Sequence, residues 1–229
     1  MIVRRCCMRE QVREAIVSRI LDGRMPPGTR LKEMALAREF NVSQAPVREA
    51  LRELEAVGLL ETVHYRGTRV RELDEHELRE AYELRAEIEE AAARRAVPCA
   101  AADLEALEDA LKIMRRAAQT HDHETYMSAS VDFHRRIVAM SGNRAFLRAW
   151  ESMAWDVRAR FVARRLGLTG LFTRQRRQII DALRAGDGAR AGALLRDIIE
   201  QLLQRLAALD AGTAAPGGAS RDQRVRSER

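Results

Sequence analysis

The chain has 229 residues, 46% of them hydrophobic, which is enough for one large domain or two small ones. Forty Lys and Arg against 34 Asp and Glu give a net charge of +6, and nearly all the cations are Arg. The basic excess fits a nucleic-acid partner, although many proteins without one share it. Arginine suits phosphates and guanine edges better than lysine does, although a GC-rich genome produces the same arginine bias. No apolar run is long enough to cross a bilayer, and the first residues lack the apolar core of a signal peptide. Because Cys6, Cys7 and Cys99 make no disulfide framework, we expect a cytoplasmic protein with reduced thiols.

Two helices are predicted in the first 41 residues. Apolar residues at helical spacing predict a first helix over Glu10–Asp22, and the Pro26-Pro27-Gly28 segment favours a turn behind it. A second short helix is predicted over Lys32–Phe40, with Met34 on its inner face. Asn41 is suited to end that helix, because asparagine tolerates the left-handed conformation.

A third helix, amphipathic and rich in arginine, is predicted directly after the second. Ser43 is suited to cap its first turn. Arg48 and Arg52 lie one helical turn apart, on a different face from the apolar residues. The apolar residues predicted to face inwards are Val47, Leu51 and Leu54.

A two-stranded hairpin is predicted after the third helix, over Glu61–Val70. It turns at Arg66-Gly67, where glycine supplies the positive φ that a tight hairpin needs. Three helices followed by such a hairpin are typical of a winged helix-turn-helix, which places its last helix in the DNA major groove. The sequence therefore predicts a DNA-binding domain over residues 1–72.

Residues 73–210 carry no strand pattern and are predicted to be helical throughout. Short connections marked by proline and glycine favour an antiparallel bundle. The six predicted helices are Asp74–Val97, Ala101–Ala118, His123–Ser141, Asn143–Leu166, Thr169–Ala185 and Asp187–Leu209. Residues 211–229 are rich in Ala, Gly, Ser and Arg and are expected to be disordered. The expected fold class is mainly α, a winged helix-turn-helix followed by a six-helix bundle.

Motifs in both halves resemble known bacterial regulators. Pro27–Leu31 (PGTRL) and Val42–Leu54 (VSQAPVREALREL) resemble the DNA-binding domain of the GntR family. Tyr82–Glu89 (YELRAEIE), Phe133–Ile137 (FHRRI) and Ser141–Asn143 (SGN) resemble the helical effector domain of its FadR-type branch, the FCD domain. Six helices rather than seven indicate the shorter, VanR-like group. The resemblance implies a homodimer that binds a palindromic operator on double-stranded DNA and responds to a small carboxylate or other anionic metabolite.

The resemblance assigns the DNA contacts to the third helix, to the segment before the second helix and to the wing tip. The assigned residues are Arg30, Lys32, Ser43, Gln44, Ala45, Arg48, Arg52, Arg66, Gly67 and Thr68. Arg48 can form two hydrogen bonds with a guanine edge, and Ser43 can bind a phosphate. The alternative is that Arg48 and Arg52 only pair with Glu49, Glu53 or Glu55 on a solvated face. Family members commonly have Arg-Thr where this chain has Gln44-Ala45, a pair that can contact adenine and a thymine methyl group.

Many members of this branch hold a divalent metal in the bundle with one Asp and three His. The corresponding positions in this chain are Ser130, His134, Arg176 and Asp197, so only His134 of that ligand set is kept. A guanidinium in such a site would repel a metal ion, and we therefore expect no metal and no other cofactor.

Polar residues fall on helical stripes that are predicted to face into the bundle. The four stripes are Tyr82-Arg85-Glu89-Ala92, Ser130-His134-Ile137-Ser141, Phe172-Arg176-Ile179-Leu183 and Leu194-Asp197-Gln201. Glu89 follows Arg85 by four residues, so the simplest expectation is that the two side chains pair.

These stripes predict an effector site composed of Arg85, Ser130, His134, Arg176 and Asp197. Arg85 and Arg176 would bind a carboxylate through paired hydrogen bonds, and His134 and Ser130 would add further ones. The alternative is that Arg176 forms a buried ion pair with Asp197 and contacts no ligand, and the two arrangements can coexist. His134 can also be a core histidine without a ligand.

The function favoured by these features is a ligand-responsive transcriptional regulator, more often a repressor in this family. An enzyme is not expected, since the sequence offers no nucleophile beside a base, no glycine-rich phosphate loop and no intact metal set. Two other possibilities are an effector-independent DNA-binding protein with a structural bundle, and the same regulator with a bound divalent metal.

Overall fold

A computed structural model of the chain describes residues 7–63, 66–72, 74–166 and 172–213. It confirms the fold class expected from the sequence, because a winged helix-turn-helix precedes an all-helical half. The helices of the first half are α1 (Met8–Leu21), α2 (Glu33–Glu39) and α3 (Gln44–Ala56). Its strands are β1 (Arg30–Leu31), β2 (Leu60–Val63) and β3 (Gly67–Val70).

The wing has one more strand than the sequence predicted. β1 pairs antiparallel with β3, with Arg30 opposite Arg69 and Leu31 opposite Thr68, while β2 lies along the other edge of β3. Sequence patterns did not show β1, because two residues are too short for a visible alternation. Gly67 begins β3 with φ 77°, as the predicted turn requires. Residues 64 and 65 of the predicted hairpin lie outside the described part.

The core of the first half is formed by α1, α2, α3 and the sheet. All three apolar residues predicted to face inwards from α3 are buried. Asn41 has φ 53° and follows Phe40, the residue that caps the end of α2, in agreement with its predicted role at the helix end. Met34, however, is 56% exposed, so its predicted place on the inner face of α2 is wrong. The helix has only seven residues, and Leu36 and Ala37 are sufficient to cover its buried side.

Seven helices, rather than the predicted six, make up residues 74–166 and 172–213. They are α4 (Glu75–Arg95), α5 (Ala101–Gln119), α6 (His123–Met140), α7 (Arg144–Glu151), α8 (Trp155–Leu166), α9 (Thr173–Arg184) and α10 (Gly188–Thr213). The helix predicted over Asn143–Leu166 is divided at residues 152–154, where Ala154 has φ 49°. No glycine or proline marks this break, so the usual breaker residues do not predict it. The six-helix count was the ground for the VanR-like group, and that ground is removed.

The last helix, α10, is longer than predicted and packs closely on α4. It ends at Thr213, so the predicted disorder is wrong for residues 211–213, and residues 214–229 lie outside the described part. A methyl group at Gly188 would stand 2.7 Å from the carbonyl oxygen of Ala93, and one at Gly192 would stand 2.9 Å from that of Glu90. The two glycines therefore allow the backbones of α4 and α10 to approach each other.

Two apolar clusters fill the helical half. The first is formed chiefly by α5, α6, α9 and α10, and Phe133 and Ile179 are fully buried in it. The second is formed chiefly by α4, α7, α8 and α10, and contains Trp150 and Trp155. Among the described helices, none has a stretch long and apolar enough to cross a membrane.

Helix α8 joins the two halves of the chain. Its Val157 belongs to the apolar core of the DNA-binding half. Arg13 of α1 donates to the Asp156 carboxylate at 2.8 Å, and Arg164 donates to the Asp22 carboxylate at 2.8 Å. α1 is therefore held against α8 by both apolar packing and ion pairs.

Candidate DNA-binding surface and effector cavity

All ten residues assigned to DNA contact lie at the surface of the first half. Nine of them are exposed and Thr68 is half-buried. Arg30 Nε donates to the carbonyl oxygen of Arg66 at 2.5 Å, which joins β1 to the wing tip. Within the described residues, Arg30, Lys32, Arg52 and Arg66 form no ion pair, so their charges can meet phosphates. Ser43 precedes α3 as predicted, although its side chain makes no capping hydrogen bond there.

Arg48 is paired with Glu33 of α2. It lies on α3, the helix predicted to enter the DNA major groove, which is called the recognition helix below. Its Nε lies 3.2 and 3.0 Å from the two carboxylate oxygens, while the side chain remains 50% exposed. The predicted alternative, pairing only with glutamates of the same helix, is wrong for both arginines, because Arg52 has no ion pair in the described chain. The contact with Glu33 orients Arg48 through Nε and leaves its two terminal nitrogens for a base edge.

A cavity of about 60 Å³ lies within the helical half, lined by α4, α6, α8, α9 and α10 together with Phe172. Four of the five predicted effector residues line it and are buried, namely Arg85, Ser130, His134 and Arg176. The first three predicted stripes face inwards, since all their residues are buried. The sequence therefore located the cavity and most of its polar wall.

Asp197 is the exception among the predicted effector residues. It is exposed on α10, and its carboxylate accepts a hydrogen bond from Gln201 Nε2 at 2.7 Å. Its predicted place in the effector site and its predicted ion pair with Arg176 are both wrong. The face of α10 that lines the cavity is that of Ile198, Ile199 and Leu202.

Glu89 is fully buried and accepts hydrogen bonds from three side chains of the helical half. Arg85 Nε lies 2.6 Å from Glu89 Oε1, which confirms the predicted pair. Trp150 Nε1 donates to the same oxygen at 2.9 Å, and His134 Nδ1 lies 2.7 Å from Oε2. The guanidinium of Arg85 also stands 4.7 Å from the ring centroid of Trp155. Sequence spacing could not predict the His134 and Trp150 contacts, because these residues are 45 and 61 positions from Glu89.

The buried cluster fixes the protonation states of Glu89 and His134. Burial raises the pKa of Glu89, but the positive charge of Arg85 and the interactions with His134, together with the hydrogen bonds from both, outweigh it. The pKa therefore lies below its ordinary value and the carboxylate is ionised. Burial lowers the pKa of His134, despite the nearby Glu89, so its imidazole is neutral. Because a carboxylate can only accept, the single ring proton of His134 lies on Nδ1.

These protonation states predict a loss of stability in mild acid. A histidine whose pKa is lower in the folded than in the unfolded state binds fewer protons when folded, so folding weakens as the pH falls below the unfolded value of about 6.5. We expect the unfolding free energy to fall by up to about 1.4 kcal/mol per pH unit between pH 6.5 and 5 because of His134. Urea titrations at fixed protein concentration measure this, and the His134→Asn variant should lack that slope. Equal slopes for both proteins would contradict the protonation state deduced for His134.

Arg176 places a second buried cation on the cavity wall. Its Nη2 donates to Ser130 Oγ at 2.8 Å and its Nη1 to the Tyr126 hydroxyl at 3.3 Å. Burial lowers the pKa of its guanidinium, which nevertheless stays protonated as arginine does in proteins. Tyr126 was not predicted, although its position four residues before Ser130 extends that stripe of α6 by one turn. Arg85 and Arg176 place two guanidiniums on the cavity wall, which suits an anionic ligand.

The residues at the family's metal position do not fit a divalent ion. His134 offers one imidazole nitrogen to the cavity, the Arg176 guanidinium lies against Ser130, and Asp197 is outside the cavity. No group of three or more His, Cys, Asp or Glu that could hold a metal occurs among the described residues. A cation at this place would meet a fixed positive charge instead of a set of donors.

Both halves of the chain match known protein families. The family model described as "Bacterial regulatory proteins, gntR family" matches residues 8–70, the segment that contains α1 to β3. The family model described as "FCD domain" matches residues 80–201, the segment that contains most of the cavity wall. This protein is a GntR-family transcriptional regulator. Its two halves are the family's DNA-binding domain and an FCD effector-binding domain.

Two relatives of this GntR regulator are named as repressors. It is 37% identical over 185 residues to the "Probable D-xylose utilization operon transcriptional repressor" of Paenarthrobacter nicotinovorans, covering 80% of this chain and 81% of that protein. It is 31% identical over 139 residues to the gluconate operon transcriptional repressor of Bacillus licheniformis, covering 59% and 56%. The crystal structure of a GntR regulator from Rhodococcus sp. RHA1 aligns with a TM-score of 0.69 at 26% identity, covering 87% and 98%.

Proposed function

We propose that this GntR regulator is a cytoplasmic repressor, not an enzyme, that binds a palindromic operator as a homodimer. A small carboxylate in the FCD cavity changes its affinity for that operator, and no metal is needed. The observation that carries the proposal is the buried Arg176 guanidinium, held beside Ser130 on the largely apolar wall of the cavity. A guanidinium in this setting is well matched to a carboxylate, with which it forms paired hydrogen bonds.

The polar wall of the cavity favours a ligand-responsive protein over one with a purely structural bundle. Buried polar side chains are costly to desolvate, so a bundle that served only for dimerisation would be filled with apolar side chains instead. The names of the two relatives refer to operons for D-xylose and gluconate use, which supports a small metabolite as the signal.

Helix α8 offers a direct connection between the ligand and the DNA-binding domain. Ala159, Val162 and Ala163 line the cavity, while Val157 of the same helix packs into the core of the other half. A ligand that shifts α8 therefore also shifts α1, on which the recognition helix packs. Because a single chain offers one recognition helix, two copies are required for the two halves of a palindrome.

The Arg176→Gln variant tests the assigned carboxylate site. Fluorescence anisotropy measures the affinity for an operator duplex while three- to six-carbon carboxylic acids are added. For the wild type, the affinity is expected to change by about 5- to 150-fold, the usual range of allosteric coupling. The variant should bind DNA equally well without acid, but should need about ten times more acid for the same response, because the charged hydrogen bonds are lost.

Arg177→Gln is the matched control for this experiment. Arg177 is the neighbouring arginine on α9, pairs with Glu108 and does not line the cavity, so its variant should respond like the wild type. The proposal fails if no acid changes the DNA affinity of the wild type, or if the Arg176 and Arg177 variants respond alike.

A further inference from the structure

His134 presents a single hydrogen-bond acceptor to the cavity. Its ring lines the cavity wall, and its protonated Nδ1 is held by Glu89 at 2.7 Å. The remaining ring nitrogen, Nε2, carries a lone pair and makes no hydrogen bond with any described residue. It is not among the buried polar atoms that lack both solvent contact and a partner, so Nε2 opens onto the cavity. A ligand in contact with it must therefore supply a proton donor.

The charges around the cavity decide what kind of donor is suitable. Arg85 and Arg176 are both cationic and both line the wall, where Arg85 is paired with the Glu89 carboxylate. An ammonium group beside His134 would add a further positive charge to this buried cluster, which a low-dielectric environment penalises. A hydroxyl group donates the same hydrogen bond without a charge, so the donor that fits is a hydroxyl.

The spacing of Ser130 and His134 along α6 limits the distance between the carboxylate and the hydroxyl of the ligand. Ser130, which holds the Arg176 guanidinium, and His134 are four residues apart on the same buried face of α6. Side chains at this spacing lie roughly 5–6 Å apart at their Cβ atoms. A molecule that reaches both the guanidinium and the imidazole therefore carries its hydroxyl close to its carboxylate.

We propose that the cavity selects a short 2- or 3-hydroxycarboxylate, whose carboxylate accepts from Arg176 and whose hydroxyl donates to His134 Nε2. This inference rests on the proposed function, since it assigns the chemistry of the same effector site. In this proposal His134 distinguishes hydroxy acids from other acids, and Arg176 binds the carboxylate that all of these acids share. The Glu89 carboxylate acts through His134, because it holds the proton on Nδ1 and keeps Nε2 an acceptor.

The matching 2-oxo acid is the most informative competitor. Its carbonyl oxygen would face the lone pair of His134 Nε2, so two acceptors would meet without a proton between them. The unsubstituted acid leaves Nε2 without a partner after water is displaced, and the 2-amino acid brings an ammonium group next to two guanidiniums. A site that must satisfy a buried polar group rejects an analogue lacking the partner, here by roughly ten- to a hundredfold.

Titration calorimetry of the full chain with matched acids tests the inference. The probes are butanoate and its 2-hydroxy, 3-hydroxy, 2-oxo and 2-amino derivatives, followed by the same series with three, five and six carbons. In at least one series a hydroxy acid should bind the wild type about ten- to a hundredfold more tightly than its oxo, amino and unsubstituted counterparts. This comparison needs no variant, so it holds even if a substitution in the buried cluster impairs folding.

The His134→Asn variant then locates the selectivity. The amide nitrogen of asparagine reaches about the place of Nδ1 and can still donate to Glu89, but nothing replaces Nε2. The advantage of the hydroxy acid should shrink to about threefold or less, while the binding of the unsubstituted acid is kept. Selectivity that persists in this variant would overturn the role of His134.

The outcomes separate this inference from the function on which it rests. Oxo or unsubstituted acids that bind the wild type as tightly as hydroxy acids, and lose affinity in Arg176→Gln, would overturn the hydroxyl inference and leave the carboxylate site intact. Failure of every acid to bind, in the wild type and in Arg176→Gln alike, would overturn both.

Discussion

Replacement of Glu89 by glutamine is expected to lower the unfolding free energy by about 3–5 kcal/mol, the usual cost of removing one partner of a buried ion pair. Arg85, His134 and Trp150 all donate to this carboxylate, whose side chain is 0% exposed. The amide of glutamine offers one acceptor oxygen and turns a donor towards the other side chains. Arg85 would be left as a buried cation without its counter-charge. Urea or thermal unfolding at fixed protein concentration measures the loss.

The matched control for this variant is Asp132→Asn. Asp132 forms an ion pair of the same i,i+4 spacing with Arg136, but both side chains are more than 40% exposed. Exposed pairs contribute little, so the control should lose less than about 1 kcal/mol. A loss of similar size in both variants would contradict the view that the Glu89 cluster stabilises the FCD domain through its burial.

Replacement of Arg48 by alanine is expected to weaken operator binding by roughly ten- to a hundredfold, equivalent to about 1–3 kcal/mol. The contact with Glu33 already orients the side chain, so the terminal nitrogens of Arg48 are prepared for a guanine edge. A base contact adds little to non-specific binding, which depends mainly on phosphates. The loss should therefore be much smaller on a duplex of random sequence. Fluorescence anisotropy at one fixed salt concentration measures both affinities.

Arg136→Ala is the control for the recognition helix. It removes the same charge from an exposed side chain, but on α6 of the FCD domain, far along the chain from α3. Its operator affinity should stay within about twofold of the wild type, because distant surface charges affect binding only weakly once salt screens them. Equal losses in the two variants, or an equal loss of Arg48→Ala on random DNA, would show that Arg48 makes no base contact.

The sequence predicted most helices because their ends are chemically marked. Asn143 accepts hydrogen bonds from the backbone of Ala145 and Phe146 at the start of α7, where the predicted helix over Asn143–Leu166 begins. The division between α7 and α8 could not be predicted, since a left-handed alanine at position 154 depends on tertiary packing, here of the buried Trp150 and Trp155. Propensity alone favours a continuous helix through such a segment.

The cavity was predictable where apolar and polar residues alternate with a clear helical period. On α6, Ser130, His134 and Ile137 follow one stripe, and the structure buries all three. On α10 the apolar residues form adjacent pairs, such as Ile198 and Ile199, so the phase of the stripe was ambiguous by one position. That shift of one residue, about 100° around the helix, moved the predicted inner face onto Asp197.

Selection of bound fragments from the organism's own genomic DNA shows whether this regulator binds a specific palindromic operator. Purified full-length protein is mixed with sheared DNA, and the retained fragments are sequenced, once without ligand and once with a mixture of short hydroxycarboxylates. We expect a few fragments to be strongly enriched in one of the two conditions, and to share an inverted repeat whose half-sites lie about one helical turn apart. If no inverted repeat is shared among the fragments in either condition, the protein does not recognise a palindromic operator.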